Sequence, residues 1–172
     1  MKNFFAYTRS QLPGAILSAD LFGLSIVNKD DLGIGQYFEN ALPYFNYIAP
    51  MVYPSHYFKN FNGYANPAEY PYEVVRYSMD RAVDRIKKYE LGIKAEEAKA
   101  AEISSSTPVF TYMNHAKLRP WFQDFDLGAD YTAEMVRAQM QATYDAGFTS
   151  WMLWDPSNRY TREALFSEGV DN

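Results

Sequence analysis

The chain has 172 residues, of which 48% are hydrophobic and 22% charged, a globular composition and not that of a disordered chain. That length falls short of the roughly 250 residues of a complete (β/α)8 barrel, and a formal net charge of -5 leaves no overall basic footprint for nucleic acid and little attraction to a membrane surface. With no cysteine, the chain has no disulfides, thiolate metal sites or cysteine nucleophiles, and its redox compartment stays open.

In chain order, Lys2 to Leu12 reads as the end of a helix closed by Pro13-Gly14. Ala15 to Asp20 reads as a short buried strand that ends on a carboxylate. Asn28 to Gly35 is a polar turn, and Gln36 to Tyr44 a short helix ended near Pro43. Tyr47 to Tyr53 is a second apolar strand, broken by Pro54-Ser55-His56-Tyr57, and a loop rich in Asn, Gly, Tyr and Pro runs on to about Pro71. Tyr72 to Lys88 carries Val75, Met79, Ala82, Val83 and Ile86 at helical spacing. Residues 92–107 read as a polar connector within a single domain spanning 1–172. A third strand is expected within Lys117 to Phe125. A helix over Thr132 to Ala146 follows, with Thr132 as its N-cap and Gly147 as its stop, and a fourth strand ends at Trp154.

Strand and helix alternate, which predicts an α/β fold with a parallel sheet. The polar and aromatic clusters sit at the expected C-terminal strand ends: Asp20, Tyr53 to Tyr57, Gln123-Asp124, and Trp154 to Asn158. Parallel α/β folds bind ligands at that edge, so four such ends predict one cleft. Four units are half of eight. The chain is therefore expected to be either part of a barrel or a smaller open α/β protein, and its start within a helix favours the former.

The motifs Ser18-Ala19-Asp20-Leu21-Phe22-Gly23, Tyr47 to Tyr57, Arg119-Pro120-Trp121-Phe122-Gln123-Asp124-Phe125, and Trp151-Met152-Leu153-Trp154 with Ser157 to Thr161 follow one another in this order. In this the chain resembles the glycoside-hydrolase-like barrel family known as the DUF4015 domain. The resemblance implies a partial TIM-type barrel, about strands five to eight, and a protein that acts on or binds a polysaccharide. An earlier strand of the family pattern, ending in a Tyr-Val-Arg-Phe-Pro-like motif, has no counterpart here, and Asp155-Pro156 departs from the family's turn after the last strand.

Glycoside hydrolysis uses two carboxyl groups, about 5–5.5 Å apart for retention and 6.5–9.5 Å for inversion. Asp20 and Asp124 are the candidates, since both lie at expected C-terminal strand ends, although alternation along the strand leaves Gln123 or Asp124 as the inward group. Tyr53, His56, Tyr57, Arg119, Trp121, Gln123, Trp154 and Asn158 are candidate substrate-binding residues, the aromatics by stacking on sugar rings and Arg119 also by pairing with Asp124 or Asp20. For each aromatic the plain alternative is core packing. For Asp20 it is a cap or a buried hydrogen bond, for His56 a loop-fixing one, and for Asn158 a cap. Trp151 and Met152 read as packing residues. No cofactor or metal is expected: Gly33-Ile34-Gly35 lacks the rest of a dinucleotide fingerprint, no Ser sits in a Gly-x-Ser-x-Gly elbow, and His56 and His115 have no metal-ligand spacing. The expected partner is a carbohydrate, with neither nucleic acid nor membrane insertion. The competing readings are a non-catalytic carbohydrate-binding module and a structural half-barrel that self-associates through its open sheet edges.

Overall fold

The computed structural model describes residues 1–103 and 118–165. Four strands, β1 (Ser18–Phe22), β2 (Tyr47–Val52), β3 (Trp121–Gln123) and β4 (Met152–Trp154), form a parallel sheet in the order β1-β2-β3-β4. Helix α1 (Lys2–Gln11) precedes the first strand. The short helices α2 (Leu24–Val27) and α3 (Phe38–Ala41) lie between β1 and β2, α4 (Pro71–Ile103) between β2 and β3, and α5 (Ala133–Asp145) between β3 and β4. This is the expected α/β fold of strand–helix units.

The register explains which side chains the sheet hides. Residues paired across parallel strands share a face, and neighbours along a strand alternate. Ala19↔Ile48, Leu21↔Pro50, Val52↔Phe122 and Phe122↔Leu153 make one face, continued by the bridge Ile48↔Leu118. Helices cover it: Leu21, Ile48, Val52, Leu118 and Phe122 join Ile26, Val75, Met79, Val136 and Met140 in one buried cluster. The other face carries Asp20, then the row Phe22↔Met51↔Trp121↔Met152, and the pair Gln123↔Trp154. Asp20, Phe22 and Trp154 are exposed there, and Met51, Trp121 and Met152 are half-buried. Parallel sheets are normally covered on both faces, so an open aromatic face is the feature that points to function.

Two expectations change at the level of elements. The first strand starts at Ser18, three residues later than predicted, and Ile16 is 78% exposed. The Ala15 N–H turns back to Leu12 O, while β1 stays paired through Phe22↔Met51 and on to the Gly23 N–H bond to Met51 O. Asp20 is therefore mid-strand and not terminal. Helix α4 continues to Ile103, well past Lys88, so residues 92–103 are helical where a connector was expected. The helix formers Ala95 to Glu102 have the intrinsic preference for this. Residues 104–117, with His115 and the start of the expected third strand, lie outside the described residues.

Arg85 of α4 ties the first half of the chain down. Its guanidinium pairs with Glu39, donates to Ser25 O at 2.6 Å and lies 5.2 Å from the Phe38 ring centroid. Thr132 caps α5 as predicted, its hydroxyl accepting from the Met135 N–H, and Gly147 follows with a left-handed φ of 90°. No helix among the described residues is long and apolar enough to cross a membrane.

Candidate functional site

Asp20 stands on the open face of β1 and accepts a hydrogen bond from Trp121 Nε1 at 3.2 Å. Trp121 meets Trp154 of the next strand edge-to-face, ring centroids 6.1 Å apart. Both indoles come from positions that alternation aims at this face, and Trp154 remains 42% exposed. A carboxylate and two indole surfaces thus share one open surface. Flat apolar rings beside a hydrogen-bonding carboxylate suit a sugar, whose ring has C–H faces and a hydroxyl rim.

Beyond the end of β2, Tyr53 forms the next cluster. Its ring lies 5.2 Å from His56 and 5.7 Å from Phe125, edge-on in both cases, and His56 lies 6.1 Å from Phe125. Burial pushes the Tyr53 hydroxyl well above its ordinary value, and the charges of Asp20 and Tyr160 push the same way, so this phenol keeps its proton at neutral pH. His56 is lowered because its packing desolvates the charged imidazolium. It serves as a neutral ring that can donate or accept. A cavity of about 350 Å3 adjoins this cluster, lined by Phe22, Leu32, Ile34, Met51, Tyr53 and His56 among others. Its loop turns through Leu32 at φ 56°, a left-handed conformation uncommon for a bulky residue, followed by Gly33 and Gly35 at positive φ.

The remaining candidates are placed differently. Tyr57 is buried, and its hydroxyl pairs with Ser78 Oγ at 2.9 Å, anchoring the Pro54–His56 turn to α4. Gln123 is fully buried. Its Oε1 accepts from Ser55 N–H at 3.1 Å and its Nε2 donates to Phe125 O at 2.9 Å and Leu127 O at 3.3 Å, so its polar atoms hold the two loops that carry His56 and Phe125. Arg119 pairs with neither Asp124 nor Asp20 among the described residues; its guanidinium lies 5.1 Å from the Tyr47 ring centroid. Asn158 is an exposed turn residue with φ 56° whose N–H donates to Asp155 O. Trp151 packs as expected, stacked on Phe122, with its Nε1 donating to Tyr144 Oη.

Asp124 is 3% exposed; its Oδ2 accepts the Thr161 N–H at 2.9 Å. The adjacent turn is built on Asp155, whose Oδ1 accepts from Ser157 N–H, Ser157 Oγ and Arg159 N–H. Burial acts to raise the Asp155 carboxyl, but those donors outweigh it and hold it below the ordinary carboxylate range. No group of three or more His, Asp or Glu side chains among the described residues can hold a metal ion.

The model of the DUF4015 family, described as a putative glycosyl hydrolase domain, matches residues 1–160. The chain belongs to that family. No curated protein and no solved structure matches it. Within this DUF4015 chain, sequence reasoning missed Phe125, the ring that joins the Tyr53 cluster to the β3 loop, and Tyr160, which acts on Tyr53. Both lie inside motifs already quoted, Arg119 to Phe125 and Ser157 to Thr161, without having been chosen as site residues.

Proposed function

We propose that this domain acts on a polysaccharide as a glycoside hydrolase, with Asp20, Trp121, Trp154, Tyr53 and His56 facing the sugar. The family supports the coarse reading. The observation that carries it to this face is the Trp121 Nε1 bond to Asp20, which sets a carboxylate beside a half-buried indole that in turn meets the exposed Trp154. In this reading the four strands are part of a (β/α)8 barrel, about its fifth to eighth, and the open face lines its interior.

Asp20 and Asp124 are the proposed carboxyl pair. One protonates the leaving glycosidic oxygen, and the other attacks the anomeric carbon or takes a proton from the attacking water, so that water is added across the broken bond. Asp20 keeps one oxygen free of Trp121, and Asp124 Oδ1 has no protein partner. His56, neutral and beside Tyr53, is placed to bond a sugar hydroxyl.

A second reading, a carbohydrate-binding module without chemistry, is favoured by one observation: Asp124 is 3% exposed with its Oδ2 taken by the Thr161 N–H, so Asp20 is the only exposed carboxylate of the pair. One set of assays separates the two. Reducing ends released from soluble polysaccharides are measured for the protein, Asp20→Asn and Asp124→Asn, alongside glycan affinity. The enzyme reading expects either substitution to cut the rate at least about a hundredfold while affinity persists. Binding without release by the unsubstituted protein supports the module. Neither binding nor release sinks both.

A further inference from the structure

A cavity of about 370 Å3 lies in the helix layer that covers the sheet face opposite Asp20, lined by Lys29, Glu39, Arg81, Asp84, Arg85 and Lys88 among others. Three segments meet there: Lys29 just beyond α2, the start of α3, and one face of α4, where positions 81, 84, 85 and 88 follow at spacings of three and four. Arg85 is buried and committed, donating to Ser25 O and pairing with Glu39, so those two charges cancel in a fixed wall. Lys29, Arg81 and Lys88 have no ion-pair partner among the described residues. Asp84 stands three residues after Arg81 and four before Lys88, spacings at which helix ion pairs form. Arg76 and Asp80 make such a pair at 2.8 Å on the same helix, yet Asp84 closes onto neither neighbour. Three open cations against one open carboxylate leave a positive surplus around this cavity, in a chain whose formal net charge is -5.

That surplus selects the ligand. A cation or a neutral group leaves it unmet. A carboxylate brings a single charge and two oxygens, too few for three separate cations. A phosphoryl dianion brings two charges and three oxygens, and it suits this donor set: a planar guanidinium takes two oxygens as a fork, and ammonium groups act as point charges. We propose that this cavity binds a dianionic phosphoryl group, free or carried as a monoester, held by Lys29, Arg81 and Lys88, with the Tyr37 hydroxyl on the same wall as a further donor. The half-buried Arg81 is the anchor, and the exposed Lys29 and Lys88 close on the anion from either side. The site lies away from the open aromatic face and does not rest on the glycoside-hydrolase reading.

The test follows backbone amide shifts of the full chain during titration with inorganic phosphate and with methyl phosphate, chloride holding the ionic strength constant. Saturable shifts are expected at Lys29, Arg81 and Lys88, with half-saturation on the order of 1 mM. Arg81→Gln should weaken binding about tenfold and the exposed Lys88→Gln about three- to tenfold. Asp84→Asn removes the open carboxylate and should tighten binding about two- to fivefold, a gain that a misfolded variant would not show. The open-face variant Trp154→Ala should bind as the unsubstituted protein does. Tighter binding of methyl phosphate assigns a phosphate monoester as the ligand, and tighter binding of inorganic phosphate assigns the free anion. Shifts that do not saturate, or that chloride alone reproduces, overturn the proposal. So does an affinity unchanged in Arg81→Gln and Lys88→Gln, or one that falls in Asp84→Asn. Failure to hydrolyse any glycan is read separately in the reducing-end assay and leaves this site untouched.

Discussion

Gln123→Leu is the sharpest probe of how the core serves the site. Leucine is similar in volume and apolar, so the substitution leaves little cavity and isolates the polar role of the side chain. Three backbone groups lose their partner: Ser55 N–H at 3.1 Å, Phe125 O at 2.9 Å and Leu127 O at 3.3 Å. A net hydrogen bond contributes about 0.5–1.5 kcal/mol, and a buried group left unsatisfied costs about 1–3 kcal/mol. The Leu127 bond is long and counts least. Two full losses and one partial loss, offset by the easier burial of leucine, put the expected destabilisation at about 2–4 kcal/mol. The assay is urea unfolding followed by circular dichroism, where the midpoint should fall with an unchanged slope. At about 2–4 °C per kcal/mol for a chain of this size, the thermal midpoint should fall by roughly 4–16 °C. Glycan affinity should fall as well, because the freed loops carry His56 and Phe125. A loss below about 0.5 kcal/mol would refute the reasoning, since it would mean that water or leucine packing replaces all three bonds.

Further outcomes follow from the same geometry. Gly23→Ala places a Cβ 2.5 Å from Met51 O and 2.8 Å from Tyr57 Oη, so it should cost about 1–3 kcal/mol by overpacking, read in the same urea experiment; a neutral result would mean that β1 and β2 shift freely. Thr132→Ala removes a cap whose bond is long, 3.4 Å, so a loss of about 0.5–1 kcal/mol is expected from thermal unfolding. Trp154→Ala should weaken binding at the open face by about tenfold, measured by calorimetry with a soluble oligosaccharide; stacking is the assigned role, and unchanged affinity contradicts it. The Asp155 turn should respond to acid. Its carboxyl is depressed in the folded chain, so its stabilisation is complete above the unfolded value near 3.9 and is lost as pH falls through the folded value. The Ser157 and Arg159 amides, followed from pH 6 down to about 2, should move only below about pH 4; movement near pH 6 would implicate another group.

How much was legible follows from the range of each interaction. Element types came from local periodicity: Val75, Met79, Ala82 and Ile86 repeat at helical spacing and are all buried. Boundaries followed less well. Asp20 looked terminal because Leu21-Phe22 reads equally as an exit from the strand, and only pairing with Pro50 and Met51 extends β1 over it. Among site residues, Trp121, Trp154, Tyr53 and His56 were chosen because they stand at strand ends, which topology alone brings to one edge. Gln123 and Tyr57 were chosen on the same ground, and Arg119 for pairing with Asp124 or Asp20; all three are otherwise placed, because their partners, Ser55, Ser78 and Tyr47, lie 68, 21 and 72 positions away along the chain.

The sequence by itself determined the strand–helix alternation, the α5 cap, the absence of thiol chemistry and the family, since each is written in neighbouring residues or in motifs in order. Only the tertiary structure decided that Asp20 meets Trp121, 101 positions away, and that Asp124 meets Thr161. The physical reason is that a side chain's face follows from a period of two, but its partner follows from strand register and loop path. Those depend on how the whole core packs.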